Sequence, residues 1–109
     1  SVAEASGCEL VMEFREGYPV TFNHGEATQK AADIARLVAG DKQVNQSVKP
    51  MMGGEDFAYM LEARPGAYIF TGNGDTAGLH HPAYDFNDEA IPHGASYWAK
   101  LVETLMPAA

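Results

Sequence analysis

The spacing of apolar residues changes several times along this chain, and each change predicts an element. Cys8, Leu10, Met12 and Phe14 alternate with Glu9 and Glu13, Val11 being the less regular member. That is the pattern of a half-buried antiparallel strand. No ladder partner is evident nearby, so the segment is expected to be an edge that pairs with another segment or another chain. Gly17-Tyr18-Pro19 breaks it, and Val20-Thr21-Phe22 continues it briefly.

The period then lengthens. Asn23 followed by Glu26 resembles a capping box, and Ala31, Ile34, Ala35 and Val38 recur at helical spacing until Gly40. The spacing predicts a helix from about His24 to Ala39, with Lys30, Asp33 and Arg36 on a solvated face. Val44 to Val48 alternates again and reads as a short strand ended by Lys49-Pro50. After Gly53-Gly54, residues Phe57, Met60 and Leu61 predict a short helix with Glu55 and Asp56 in its first turn, stopped by Pro65-Gly66. Ala67 to Thr71 is nearly all apolar and rich in β-formers, as for a strand covered on both faces. The last helix is expected to be capped by Asn87 or Asp88 and to carry Pro92 in its first turn. Its apolar stripe would be Ile91, Ala95, Trp98, Leu101 or Val102, and Leu105. Collected, these elements predict an α/β fold with βα crossovers.

Composition narrows the partners. A chain of 109 residues supports one small domain. A net charge of −8 with only seven Lys and Arg argues against nucleic acid and anionic membrane, and for a small molecule or another protein chain. The single cysteine, Cys8, excludes an intrachain disulfide and fits a reducing cytosol, so a cytoplasmic protein is expected. No secretory leader or membrane span is legible. The chain opens at Ser1 and runs directly into strand-like sequence, as a piece of something longer would.

Candidate chemistry gathers between Gly78 and Asp88, where His80 and His81 precede Pro82, with Asp85 and Asp88 close behind. Adjacent histidines in a loop are ordinarily solvated polar residues. The alternative is that one of them ligates a metal, with a carboxylate orienting its ring. Side chains of neighbours in extended backbone diverge, so at most one should bind. Gly53-Gly54-Glu55-Asp56 reads equally as a turn with a helix start, or as a place where backbone approaches a ligand and N–H groups face an anion. His24 and His93 lack a supporting constellation and read as structural. No nucleophile elbow or phosphate loop is present.

Three ordered motifs add a family resemblance. They are Met52-Gly53-Gly54-Glu55-Asp56-Phe57-Ala58-Tyr59, the run from Pro65-Gly66-Ala67 to Gly72-Asn73-Gly74, and Leu79-His80-His81-Pro82 with Tyr84-Asp85-Phe86-Asn87-Asp88. Together with Tyr18-Pro19-x-Thr21-x-Asn23, they resemble the C-terminal part of metal-dependent amidohydrolases: the hippurate hydrolases, aminoacylases and auxin-conjugate hydrolases of a larger metallopeptidase family. The resemblance implies the C-terminal part of a zinc-exopeptidase-like α/β/α sandwich in residues 20–109, preceded in residues 1–19 by the last strand of a lid or dimerisation domain. It implies that His80, and not His81, binds one divalent metal (Zn, Mn, Co or Ni) of a two-metal centre, and that Gly54 and Glu55 lie on the substrate side. The implied substrate is an N-acyl amino acid, attacked by a metal-bound water that a glutamate deprotonates. That glutamate and the other ligands precede the lid domain in such enzymes, so no catalytic residue is expected in this chain, and the chain alone is expected to be inactive. A homo-oligomer is expected. The competing expectation is a non-catalytic interaction or dimerisation module that uses the Cys8 to Phe14 edge.

Overall fold

The computed structural model describes residues Ser1–Ala109. Four α-helices are present: α1 (Val2–Ala5), α2 (Gly25–Ala39), α3 (Phe57–Ala63) and α4 (Ala90–Leu105), with a single 3₁₀ turn at Asp41–Gln43. The three longer helices lie where the periodicity puts them. The short first one was not expected from periodicity, and local capping explains it. Ser1 Oγ accepts the Glu4 N–H while the Glu4 carboxylate returns to the N-terminal amine at 2.7 Å, closing a capping box.

The helix starts differ from expectation in one informative way. Asn23 does not cap α2: the cap position is His24, whose side chain makes no capping bond, and Glu26 pairs with Lys30 at 2.7 Å. The Asn23 carboxamide is engaged elsewhere, on the backbone of Tyr68. Gly40 ends α2 at φ 82, in the left-handed region that glycine enters at least cost. In α3 the two acids precede the helix instead of lying in its first turn, and Glu55 Oε1 accepts the Phe57 N–H at 3.1 Å. Asn87 binds the Glu89 N–H at 3.0 Å just ahead of α4, so it braces the helix from two residues before the cap position.

Helix packing is confined to the seam between α2 and α4, while α3 buries Ala58 and Leu61 away from that seam. Only Ala31, Ala32, Ile34, Ala58, Leu61 and Tyr97 are buried. The α2 stripe is used in part: Ala31 and Ile34 are buried as predicted, Ala35 and Val38 are half-buried, and Ala32, outside the stripe, is buried as well. In α4, by contrast, the buried residue is Tyr97; of the predicted stripe, Ile91, Ala95, Trp98, Val102 and Leu105 are exposed, Trp98 at 63 %, and Leu101, the alternative to Val102, is half-buried. Period alone names a stripe; it does not say which of two neighbouring stripes finds cover.

The α/β expectation meets a correction: no strand pairing forms in this chain. Cys8 to Phe14, Val44 to Val48 and Ala67 to Thr71 lie outside any ladder. A strand is a property of a pair, and each of these segments lacks a neighbour to supply N–H and C=O groups. Of the backbone–backbone hydrogen bonds outside helices, one alone joins distant segments, from His24 N–H to Gly66 O at 3.0 Å. The result is an elongated chain, 70 Å in its longest dimension with a radius of gyration of 19.9 Å, where a compact domain of this length has about 13 Å.

Candidate functional site

Polar side chains do the bridging that a sheet does not. Asn23 Nδ2 donates to Tyr68 O at 2.9 Å, and its Oδ1 accepts the Tyr68 N–H at 2.7 Å. Next to it, His24 Nδ1 lies 3.1 Å from Gly66 N and 3.3 Å from Gly66 O. Residues 66–68 are thus pinned to the start of α2. The His24 ring makes its polar contacts to the backbone of Gly66.

This pinning sets the environment of the Gly-Gly-Glu-Asp segment. Tyr68 stacks at an angle on Phe57, ring centroids 5.5 Å apart, and its hydroxyl lies beside Glu55. The hydrogen bond from Phe57 N–H, and then the Tyr68 hydroxyl, hold the Glu55 carboxyl below the usual carboxylate range. Glu55 in turn raises the Tyr68 phenol, with burial adding to the effect. Glu55 is therefore an oriented carboxylate. At Gly54 a Cβ would come within 2.9 Å of Tyr18 Cδ2, so the close approach that a glycine permits is taken here by an aromatic ring. Tyr18 also meets Tyr59 edge to face at 6.0 Å, beside a cavity of about 410 Å³.

The His80 loop is built from two successive turns. His81 N–H donates to Gly78 O at 3.2 Å, and Tyr84 N–H donates to His81 O at 2.9 Å. His80 is the third residue of the first turn and has φ 65, the one non-glycine residue with positive φ. With Leu79 at negative φ, this is a type II turn, a place where glycine is the usual occupant. The second turn carries Pro82 at its second position, where its fixed φ belongs. His81 Nδ1 accepts the Ala83 N–H at 3.0 Å, so that ring is committed to its own loop. The His80 imidazole is exposed and makes no hydrogen bond within the chain.

At the base of the loop is an open, polar groove of about 510 Å³ between residues 73–76 and 85–88, lined by Asp75, Asp85 and Asp88 among others. Asn73 spans it, Nδ2 donating to Asp85 O and Oδ1 accepting the Asn87 N–H, both at 2.7 Å. Neither His80 nor the Gly54-Glu55 pair lines this groove, and no hydrogen bond joins His80 to Glu55. Nowhere do three His, Cys, Asp or Glu side chains converge as a metal site requires. Asn73 and Tyr68 carried no individual role in the sequence, and Asn23 was expected as the cap of α2, not as a clamp on Tyr68. The signal for Asn73 was its place between two glycines directly after an apolar run.

The chain belongs to Peptidase family M20/M25/M40, which matches residues 7–104. It is 35% identical over 100 residues to the hippurate hydrolase of Campylobacter jejuni, covering 92% of this chain and 26% of that protein. It is 33% identical to the putative amidohydrolase YhaA of Bacillus subtilis, over 83% of this chain and 24% of that one. An N-acetylcysteine deacetylase from the same organism is 30% identical, over 92% and 26% of the two chains. The chain thus spans about a quarter of the length of these relatives. No solved structure matches it significantly. The motif resemblance to the hippurate hydrolase group is borne out. No helix is long and apolar enough to cross a membrane.

Proposed function

We propose that these residues form the C-terminal portion of a metal-dependent amidohydrolase acting on N-acyl amino acids, and that His80 contributes one metal ligand to it. The observation that carries this reading is the state of the two neighbouring histidines. His81 spends Nδ1 on the Ala83 N–H, whereas His80 is held at φ 65 with its ring unengaged. A non-glycine residue kept in the left-handed region costs roughly 1–2 kcal/mol, a cost that a functional constraint explains.

A divalent metal (Zn, Mn, Co or Ni) fits the donor chemistry of His80 at one coordination position. The remaining ligands would come from outside these residues, since no set of three converges within them. Such a metal supplies Lewis acidity to an amide carbonyl and to water. What this chain's own residues do is hold and present. The His80 ring is offered from a turned loop, and Glu55, oriented by Phe57 N–H and Tyr68, faces the substrate side together with Gly54. The burial of six residues and the exposed stripe of α4 support a portion that completes its core against further sequence. In the complete enzyme we place residues 1–19 in the lid domain and residues 20–109 in an α/β/α sandwich, in a cytoplasmic protein.

Replacing His80 by Ala in the complete enzyme should remove nearly all hydrolysis of an N-acyl amino acid and lower metal content. Survival of both would refute the assignment. These 109 residues alone should show no turnover with added Zn²⁺ or Mn²⁺. Turnover would refute the claim that the site is completed from outside.

A second reading has one observation in its favour. Leu10, Met12 and Phe14 are 68–80 % exposed, which fits an edge that pairs with a second copy of the chain. Sedimentation of this chain would reveal the dimer, and a monomer at all concentrations would exclude it.

A further inference from the structure

Asn73 has no part in the proposal above, yet both ends of its carboxamide are engaged at the base of the loop that presents His80. Nδ2 donates to Asp85 O and Oδ1 accepts the Asn87 N–H, each at 2.7 Å, across separations of 12 and 14 residues. We propose that Asn73 is a positioning residue for His80: by closing residues 74–84 into an Ω-shaped loop, it fixes the direction in which the imidazole is offered to a metal. This role rests on the reading of His80 as a ligand.

The mechanical path is continuous. Asn87 receives the clamp through its N–H and passes it on through Oδ1, which accepts the Glu89 N–H at 3.0 Å at the start of α4. Helix α4 packs on α2, so the base of the loop is anchored to the rigid part of the chain. On the other strand of the loop, Gly74 at φ 86 lets the backbone turn immediately after the clamp. Two turns meeting at His81 then complete the tip, with His80 at the third position of the first. A loop whose ends are tied samples far fewer directions than a linker of the same length. Asparagine suits the position because one planar group must both donate and accept. Aspartate lacks the donor, and glutamine is one methylene too long for the same span.

The test uses Zn²⁺ affinity of the complete enzyme, measured by competition with a chromophoric chelator, alongside its melting temperature. In this 109-residue chain, amide exchange at Asn87 is followed by NMR. Asn73→Ala should free the Asn87 amide to exchange and weaken Zn²⁺ binding about ten- to a hundredfold, the usual penalty for losing a group that orients a ligand, with little change in melting temperature. Asn73→Asp, which keeps the acceptor for Asn87 and loses the donor to Asp85, should lie between Ala and wild type, and it serves if the alanine variant does not fold. Thr76→Ala, inside the same loop, should leave affinity unchanged. If folded Asn73 variants bind Zn²⁺ like wild type while His80→Ala binds it weakly, Asn73 has no positioning role and the reading of His80 stands. If His80→Ala itself binds Zn²⁺ normally, that reading fails and the role of Asn73 fails with it.

Discussion

Asn23 grips Tyr68 by both of its backbone groups, donating to the carbonyl at 2.9 Å and accepting the N–H at 2.7 Å. One carboxamide thus does for one residue what a neighbouring strand would do for several. Asn23→Ala should destabilise the chain by about 2 kcal/mol, close to 1 kcal/mol for each lost bond, and Asn23→Asp should not restore stability because the donor is gone. Urea unfolding monitored by circular dichroism measures this. An effect below about 0.5 kcal/mol would mean that water replaces the clamp without loss.

Glu55 gives the acid response a definite sign. Its pKa is lowered in the fold, first by the Phe57 N–H and then by the Tyr68 hydroxyl. The charged form is therefore favoured by folding. Its contribution is present above the ordinary carboxylate value of 4.5 and is lost as pH falls through the lower folded value. Melting curves taken from about pH 6 to pH 3 should show Glu55→Gln losing less stability than wild type over that range. Parallel curves would show that Glu55 contributes nothing.

Tyr97 responds at the opposite end. Burial raises its phenol pKa, so its contribution is present below the unfolded value of 10.0 and is lost as pH rises through the higher folded value. Tyr97→Phe should therefore resist alkali better than wild type, read as helix content against pH. Identical alkaline transitions would remove Tyr97 as the cause.

The buried stripe of α2 and the exposed stripe of α4 make a contrast that substitution can read. Ile34, 2 % exposed in the seam against α4, should cost about 2 kcal/mol when changed to Ala, the low end of the range because so small a core can settle around the gap. Ile91, 56 % exposed on the outer stripe, should cost less than about 0.5 kcal/mol in this chain. Equal losses would show that the outer stripe is covered in solution.

His80 should trade stability against chemistry. At φ 65 a glycine is relieved of the Cβ penalty of roughly 1–2 kcal/mol, partly offset by its own chain entropy of roughly 0.5–1 kcal/mol. His80→Gly should thus unfold at a urea concentration equal to or above that of wild type, while His80→Ala, which keeps the strain, should not gain. A clear loss in the glycine variant would show that the imidazole makes stabilising contacts.

How much of this was legible in the sequence depends on where the information is held. Helices carry their hydrogen bonds within themselves, so α2, α3 and α4 could be read from local spacing, and Gly40 and Pro65 as their ends. Strands take theirs from a neighbour, so the alternation of Cys8 to Phe14 and the apolar run at Ala67 to Thr71 announced segments whose partners the chain does not hold. The side-chain clamps were hidden for a related reason. Asn23 looked like a cap because capping is local, and its real partner is 45 residues away. Of the nominated site residues, composition and spacing left the two histidines equivalent, the motif resemblance favoured His80, and geometry shows how they differ. Adjacent in sequence and alike in chemistry, they differ in that the ring of His81 closes a turn and the ring of His80 does not.

The exposed stripe of α4 has an optical consequence. Trp98, the only tryptophan in the chain, lies on it at 63 % exposure. Its indole should emit as a solvated fluorophore, quenched readily by iodide. Whatever surface comes to cover α4 will shift that emission to the blue and shield it from quencher, so assembly around this helix can be followed with no label at all.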